Sequence, residues 1–181
     1  HPPLSGGIGS IDDPYLIASA NDLTTLSDYI NTTPSINLQN YYKVTEDIDM
    51  SSVPDFTPIG NEQHIFNFNI DGNHKRISGL RIGPNYQYSG LIGYAKANTI
   101  IKNIDVEVDI EIGDNGAKQF AGGLVAYAGG MTLFDTCTVR GSIYMGNYSP
   151  VSVGGLCGFN ATASRPATKP PPTAYSTFSP R

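Results

Sequence analysis

The stretch "VGGLCGFN" at residues 153–160 repeats, with small changes, two earlier ones: "SGLIGYA" at 89–95 and "AGGLVAYA" at 121–128. In each, small residues precede a large aliphatic residue, and a small residue and an aromatic follow it. The central leucines, Leu91, Leu124 and Leu156, recur at a nearly constant interval. A phrase repeated in this way indicates a stacked architecture, in which each unit buries its apolar face only against its neighbours.

The segment that follows each of the first two phrases is repeated as well. "IIKNIDVEVDIEIG" at 100–113 alternates aliphatic and acidic residues, which is typical of a half-buried strand. "DTCTVRGSIYMG" at 135–146 alternates in the same manner. A shift by the interval from Leu91 to Leu124 places Cys137 on Ile104, Val139 on Val106 and Ile143 on Ile110. The glycine phrase and its strand therefore form one unit of about 32 residues.

Units made only of strands exclude the helical solenoids. A propeller blade needs about 40–45 residues and usually four or more copies, whereas this chain has about three copies of about 32. The sequence therefore predicts an all-β parallel β-helix, or β-solenoid. Further strands are expected in 41–50 and in 66–82, with a turn at "DGN". One helix is expected over 19–32, with Ser19 as its N-cap and with Leu23, Leu26 and Ile30 facing the core that it caps.

The repeated phrases are expected to be structural, with two alternatives for their glycines. The pairs Gly122–Gly123 and Gly154–Gly155 would either supply corners of positive φ or let adjacent coils approach closely. The leucines would stack as one ladder, and Tyr94, Tyr127 and Phe159 as another. The residues assigned to this structural repeat are Gly90, Leu91, Gly93, Gly122, Gly123, Leu124, Gly154, Gly155, Leu156 and Gly158.

Composition and charge exclude several partners. Residues 1–160 hold eight basic and sixteen acidic residues, a net charge of −8, which disfavours nucleic acid. The sequence contains no run of eighteen apolar residues, so it predicts no membrane span. The opening "HPPLSGG" does not have the form of a signal peptide and is expected to be a mature or trimmed start. Cys137 and Cys157 do not form a CxxC pair and are expected to be buried free thiols, the alternative being a disulfide.

The chain resembles the bacterial surface proteins that carry the GLUG motif, a short G-L-hydrophobic-G repeat. The resemblance covers residues 11–160 and includes "DPYLIASANDLTTLSDYIN", "YYKVTEDIDM", "FTPIG" and "FNFNIDGNHKRISGLRI" as well as the three phrases. It implies a right-handed β-helix domain of an exported, usually surface-attached protein, and the motif also occurs beside some secreted immunoglobulin A proteases. The second phrase departs from the motif, since Ala126 replaces its second glycine.

The repeat stops after residue 160. Residues 161–181 contain five of the thirteen prolines, no acidic residue and no periodicity. We therefore divide the chain into a β-helix domain, 1–160, and a proline-rich tail, 161–181, which is expected to be disordered or loosely attached. Two alternatives are that the chain is a fragment of a longer protein, and that Tyr175 and Phe178 fold back over the open last coil.

Motifs that support catalysis are missing from the sequence. It has no HExxH, GxSxG, GxGxxG or Walker pattern, and no pair of histidines at ligand spacing. The acidic strand Asp105, Glu107, Asp109 and Glu111 is the best remaining candidate, because paired carboxylates can cleave polysaccharides. Calcium could lie among Asp109, Asp114 and neighbouring carbonyls. The favoured interpretation is a solvated strand face, with no enzyme activity and no cofactor.

A second patch is rich in tyrosine and asparagine, which can stack on and hydrogen-bond to sugars. Its candidate ligand-binding residues are Tyr86, Tyr88, Tyr144 and Tyr148. Three functional hypotheses result. The favoured one is a non-catalytic β-helix module of a secreted or cell-surface adhesin-like protein, a rigid scaffold that contacts host or matrix glycans or proteins. The alternatives are a carbohydrate-binding or carbohydrate-processing β-helix, and an accessory region of a secreted metalloprotease.

Overall fold

The computed structural model describes residues 2–34, 40–96, 99–113, 118–145, 152–160 and 174–178, with the backbone alone for 159–160 and 174–178. It contains one helix, α1, and fourteen strands in the described ranges. In chain order these are β1 Tyr15–Ile17, α1 Ala20–Thr32, β2 Tyr41–Val44, β3 Ile48–Asp49, β4 Asn69–Asp71, β5 Arg76–Ile82, β6 Tyr88–Ser89, β7 Ile92–Lys96, β8 Thr99–Glu111, β9 Phe120–Gly122, β10 Val125–Gly129, β11 Thr132–Tyr144, β12 Ser152–Gly154, β13 Cys157–Asn160 and β14 Ala174–Phe178.

The strands form three parallel sheets, which confirms the predicted β-solenoid. Sheet A has the order β1-β2-β4-β8-β11-β14, with β3 and β5 added to it through β8. Sheet B has the order β13-β10-β7, and sheet C has the order β12-β9-β6. From β6 onward the chain passes from sheet C to sheet B to sheet A, three times in succession. Each sequence repeat is therefore one coil, and its glycine phrase lies where the chain passes from sheet C to sheet B.

The predicted register between coils is confirmed. Cys137 pairs with Ile104, Val139 with Val106 and Ile143 with Ile110, as the shift by one repeat requires. The inward side chains of β8 at these levels are buried and belong to one continuous hydrophobic core. The outward acidic side chains alternate with them, also as predicted. In the predicted 66–82 region, a turn separates β4 from β5, and both strands pair with β8 rather than with each other.

Backbone hydrogen bonds join the three leucine positions from coil to coil, as the predicted ladder requires. Leu124 N–H donates to Leu156 C=O (3.1 Å), and Ile92 N–H donates to Leu124 C=O (2.9 Å). Leu91 and Leu124 are fully buried, while Leu156 is partly buried in the last coil that contains the phrase. The leucines therefore lie at neighbouring strand positions along the hydrophobic core.

Close approach to an adjacent coil, rather than positive φ, explains Gly90, Gly93, Gly122 and Gly158 of the phrases. A Cβ atom on Gly122 would lie 2.5 Å from Gly158 N of the next coil, and one on Gly158 would lie 2.5 Å from Ala126 O. The alternative of positive-φ corners is wrong for the pairs 122–123 and 154–155. Among the described residues, the glycines of positive φ lie outside the phrases, at Gly7, Gly9, Gly60, Gly79, Gly130 and Gly141. The phrases are glycine-rich because the backbones of adjacent coils meet there.

Helix α1 begins and packs as predicted. Ser19 Oγ accepts a hydrogen bond from Asp22 N–H (3.1 Å), which caps the helix, and the apolar face joins the core. Asn31 fastens the other end to the chain before the first phrase: its Nδ2 donates to Pro58 C=O (2.9 Å), and its Oδ1 accepts from Gly60 N–H (2.9 Å). This helix is too short and too polar to cross a membrane, and it is the only helix in the described part of the chain.

The tail and the cysteines complete the fold. Residues 174–178, expected to be loose, form β14 and pair in parallel with β11 from Cys137 to Gly141, so this part of the tail extends sheet A by one strand. The two cysteines are free thiols, as expected. Cys137 is buried in the core, where burial raises the pKa of its thiol to about 12. Cys157 is partly buried.

Candidate binding surface

The outer face of sheet A is divided into two parts at one level. Asn103 in β8 and Thr136 in β11, which are one repeat apart, both have positive φ (55° and 54°). Before this level lies the N-terminal half of sheet A, formed by β2, β4 and residues 99–102 of β8. After it lies the C-terminal half, formed by β5, residues 104–111 of β8 and residues 137–144 of β11. The two halves share the core but differ in their outer surfaces.

In the C-terminal half, the predicted acidic residues pair with groups on the adjacent coils. Asp105 accepts from Arg76 Nε on one side (3.2 Å) and from an Arg140 guanidinium nitrogen on the other (2.9 and 3.0 Å to its two oxygens). Asp109 accepts from Ser142 Oγ (3.0 Å) and lies 4.0 Å from Arg81. These contacts match charges across three coils, which agrees with a solvated face held together by ion pairs.

Glu107 lies on the same outward face of β8 as Asp105 and Asp109, and it contacts the backbone of the preceding coil. Its carboxylate accepts from Gly79 N–H (3.3 Å), at a position where the register between β5 and β8 shifts. This hydrogen bond satisfies the backbone N–H of Gly79, which the irregular pairing of β5 with β8 leaves available. Glu111, at the end of β8, is exposed.

The calcium prediction involves Asp109 and Asp114. Asp114 lies outside the described residues, so the proposed pair stays a prediction. Within the described ranges, no group of three or more His, Cys, Asp or Glu side chains is arranged to hold a metal ion. The structure places Ser142 and Arg81 against Asp109, so this carboxylate already contacts a hydroxyl and a guanidinium group.

The four candidate tyrosines do not share one environment. Tyr86 is partly buried and donates its hydroxyl to Asp55 Oδ2 (3.2 Å), beside Thr57 Oγ1 (3.3 Å); burial raises the pKa of this phenol. Tyr144, at the end of β11, is 40% exposed. Tyr148 lies outside the described residues.

Tyr88 requires a correction, since it was expected to be an exposed contact for sugars. Its side chain is only 8% exposed. The ring stacks on Phe120 of the next coil (5.4 Å between centroids) and meets Tyr94 and Tyr127 edge-on. Because three other aromatic rings contact it, the ring is packed rather than presented to a ligand.

Tyr88, Tyr94, Phe120 and Tyr127 together form a four-ring aromatic cluster between sheets B and C. Tyr94 stacks on Tyr127 at 4.5 Å, as the sequence predicted, and Tyr127 pairs with Phe159 in the backbone register. Burial raises the pKa of Tyr94 to about 12. The sequence analysis did not predict that Tyr88 stacks on Phe120. A signal for this contact was present, since the two residues are register partners one repeat apart.

The N-terminal half of sheet A carries a cleft that the sequence did not indicate. Its volume is about 400 Å³, and its floor is formed by β2, β4 and β8. The chain before β1 forms one wall, through Ile11, Asp12 and Pro14. Little in the sequence indicates this cleft, because its lining residues come from four stretches of sequence that only the coil register brings together.

Side chains of mixed character line the cleft. Lys43 and Asp71 are register partners, as are Asp71 and Lys102, so these three form one row across three strands. Tyr41 and the exposed Ile100 flank this row. Asn69 lies on the floor, where its Oδ1 accepts from Ile100 N–H (3.1 Å). A surface with cationic, amide and apolar groups within one concavity is suited to binding a small polar ligand.

In sequence comparisons, the chain matches short parts of two much longer proteins. No family model matches it, so the resemblance to the GLUG family stays a prediction. It is 30% identical over 128 residues to a protein of Evansella cellulosilytica named provisionally as a Gly-rich membrane protein, with 67% of this chain and 14% of that protein covered. It is also 30% identical over 125 residues to Halomucin of Haloquadratum walsbyi, with 64% of this chain and 1% of Halomucin covered.

One solved structure is similar along most of the chain. It is the crystal structure of a protein from Bacteroides ovatus named provisionally as an immunoglobulin A1 protease. The likeness covers 98% of this chain and 87% of that one, with a TM-score of 0.42 and 11% sequence identity. A likeness at this level carries no argument about activity. The chain thus shares sequence with short parts of two much longer proteins, and its own architecture is a β-solenoid.

Proposed function

We propose that this chain is a non-catalytic module of an exported, cell-surface protein of adhesin type, acting as a rigid scaffold that presents a contact surface. The observation that carries the proposal is the continuous register of sheet A. β8 and β11 pair from Thr99 with Thr132 to Glu111 with Tyr144, and the core extends from β1 through β11. Since each coil buries its apolar face on the next, such a stack resists bending and can project its outer surface.

The similar proteins support a location at the cell surface. One is named as a Gly-rich membrane protein and the other as Halomucin, and this chain matches a small part of each. A domain that corresponds to a short part of a long protein suits the role of one module in an extended assembly.

The contacts of the outward acidic residues of β8, the acidic row, support a non-catalytic role. Asp105 is held between two arginines, and Asp109 contacts both Ser142 and Arg81. The row therefore has the character of a structural ion-pair network.

Adhesion under flow tests the proposal. Beads coated with the 181-residue chain are passed over glass coated with mucin glycoprotein, with extracellular matrix protein or with albumin, and retained beads are counted. Retention on mucin or matrix but not on albumin is expected. Equal retention on all three surfaces, or on none, contradicts the adhesive role.

A second assay tests the absence of catalysis. The chain is incubated with neutral and acidic polysaccharides, and newly formed reducing ends are measured. No product is expected, for the wild type or for the double variant Asp105→Asn/Asp109→Asn. Release of reducing ends by the wild type that the double variant lacks contradicts the proposal and identifies a carbohydrate-processing enzyme.

A further inference from the structure

The charges in the cleft of sheet A are less completely paired than those of the C-terminal half. Asp71 Oδ1 accepts from Asn73 N–H (2.8 Å), in the turn between β4 and β5, and from Asn103 Nδ2 of β8 (3.2 Å), so this carboxylate is already engaged. Lys43 and Lys102, its two register partners, have no ion pair within the part of the chain that the structure describes. The row therefore presents two ammonium groups on either side of an occupied carboxylate.

These two lysines are unusual for their location. Residues 1–160 have eight basic and sixteen acidic residues, and the arginines of the C-terminal half are used in ion pairs. Both lysines line the cleft of about 400 Å³, Lys43 partly buried and Lys102 exposed. Two cations two strands apart, about 10 Å from each other, can contact one anionic ligand that lies across the strands.

The rest of the cleft is suited to a sugar ring. Tyr41 is only partly buried, and Ile11 and Ile100 are 69% and 40% exposed, so apolar surface is available for the C–H face of a saccharide. Asp12 lies on the wall and can accept hydrogen bonds from hydroxyl groups. Asn69 is held in place by its bond to Ile100 N–H and lies on the floor between the apolar groups.

An extended peptide is less suited to this surface. A peptide strand usually binds by adding to a sheet edge, where backbone groups are unpaired. The floor of the cleft is formed by β2, β4 and β8, and each of these strands pairs on both sides. Recognition here must therefore depend on side chains, as in the binding of saccharides.

We infer that the cleft lined by Tyr41, Lys43, Asn69, Ile100 and Lys102 binds a carboxylate-bearing saccharide, with the two lysines contacting the carboxylates and the tyrosine contacting a ring face. The inference rests on the proposed function, because it names the ligand class that the contact surface would recognise. A single charge-assisted hydrogen bond contributes about a factor of ten in affinity, so binding by the two lysines should be measurable and sensitive to salt.

Calorimetric titration of the full chain tests the inference. The probes are trigalacturonic acid, triguluronic acid and sialyllactose, with the methyl ester of trigalacturonic acid as the uncharged match. At least one acidic saccharide is expected to bind, and the ester to bind at least tenfold more weakly than the free acid if trigalacturonic acid is that ligand. The double variant Lys43→Ala/Lys102→Ala should weaken binding about tenfold or more, while Lys118→Ala, an exposed lysine outside the cleft, should not change it.

The outcomes separate this inference from the proposed function. No binding by any of the three acidic saccharides, equal binding by the double lysine variant, or tight binding of hexaglutamate in their place overturns the inference. The variant Lys43→Arg/Lys102→Arg, which keeps the charge, should retain binding and guards against a folding defect. If beads coated with Lys43→Ala/Lys102→Ala still adhere although saccharide binding is lost, the adhesive role stands and the cleft is not its contact.

Discussion

The two halves of sheet A have the same core and different outer surfaces. In the C-terminal half, Asp105 and Asp109 pair with arginines and a serine of the adjacent coils. In the N-terminal half, Lys43 and Lys102 face a cleft and have no ion-pair partner among the described residues. In this solenoid the inward side chains set the fold, while each outward row of side chains is free to stabilise the stack or to contact a ligand.

The boundary between the halves is a backbone feature that both strands share. Asn103 and Thr136 are equivalent positions of successive coils, and both have left-handed φ. Asn103 also donates to Asp71 on the preceding coil, so the same residue turns the strand and occupies the carboxylate of the cleft. Five substitutions test whether the halves are as separate as their surfaces suggest.

The largest effect is expected from Gly141→Ala in the C-terminal half. Gly141 pairs with Val108 and has φ of 141°, and a Cβ atom there would overlap Val108 O. We expect a loss of about 3 kcal/mol or more in the free energy of unfolding, measured by urea denaturation. Gly129→Ala is the control, since its nearest atom would be 3.5 Å away, and should cost less than about 1 kcal/mol. If the two variants are equally stable, the close packing of β11 on β8 is contradicted.

The boundary residues should respond in opposite directions. Asn103→Ala places alanine at a positive φ and removes the bond to Asp71, so we expect a loss of about 1–2 kcal/mol in unfolding free energy. Thr136→Gly relieves a β-branched residue at the same conformation and should stabilise the chain by up to about 1 kcal/mol. Thermal unfolding of both variants checks this. A stabilised Asn103→Ala would show that the boundary does not depend on this backbone conformation.

A smaller effect is expected from Asp105→Asn, which removes the charge between Arg76 and Arg140. The Asp105 side chain is 26% exposed, so we expect a loss of only about 0.5–1 kcal/mol, decreasing as salt is added. Glu111→Gln, at the exposed end of the same strand, is the control and should have no effect. Saccharide binding by the N-terminal half should remain unchanged in both variants. A loss of binding in Asp105→Asn would show that the two halves are coupled.

The smallest effect is expected from Tyr42→Phe, beneath the floor of the cleft. The hydroxyl of Tyr42 is buried and has no hydrogen-bond partner among the described residues, so removing it should change stability by about 0–1 kcal/mol, in the stabilising direction. Burial raises the pKa of Tyr42 well above its ordinary value of 10. Above pH 10 the unfolded chain releases this proton while the folded chain retains it, so stability falls as pH rises.

Denaturation at pH 8 and pH 11 measures this difference. The wild type should lose about 1 kcal/mol more than Tyr42→Phe between the two values, since one pH unit above the unfolded pKa corresponds to about 1.4 kcal/mol. Identical losses in the two proteins would mean that the buried phenol ionises as readily in the folded chain as in the unfolded one.

The repeat period, the alternation in β8 and helix α1 were all predictable from the sequence. The spacing of Leu91, Leu124 and Leu156 predicted the coils, and the alternation after Asn103 predicted which side chains of β8 are buried. These features are readable because they depend on local periodicity and on a repeat that aligns each strand with the next. Ser19 and the apolar face after it predicted α1 for the same reason.

The roles of the outward side chains and of the glycines became apparent from the folded chain. It placed Tyr88 inside a four-ring cluster, made Gly122 a point of close approach, and brought Lys43, Asp71 and Lys102 into one row. The physical reason is that these contacts join residues of different coils, and those of the cleft lie in the irregular first coils, where the chain has no repeat to read. The pairing of charges and the shape of the cleft depend on the register between coils, and amino-acid composition does not determine that register.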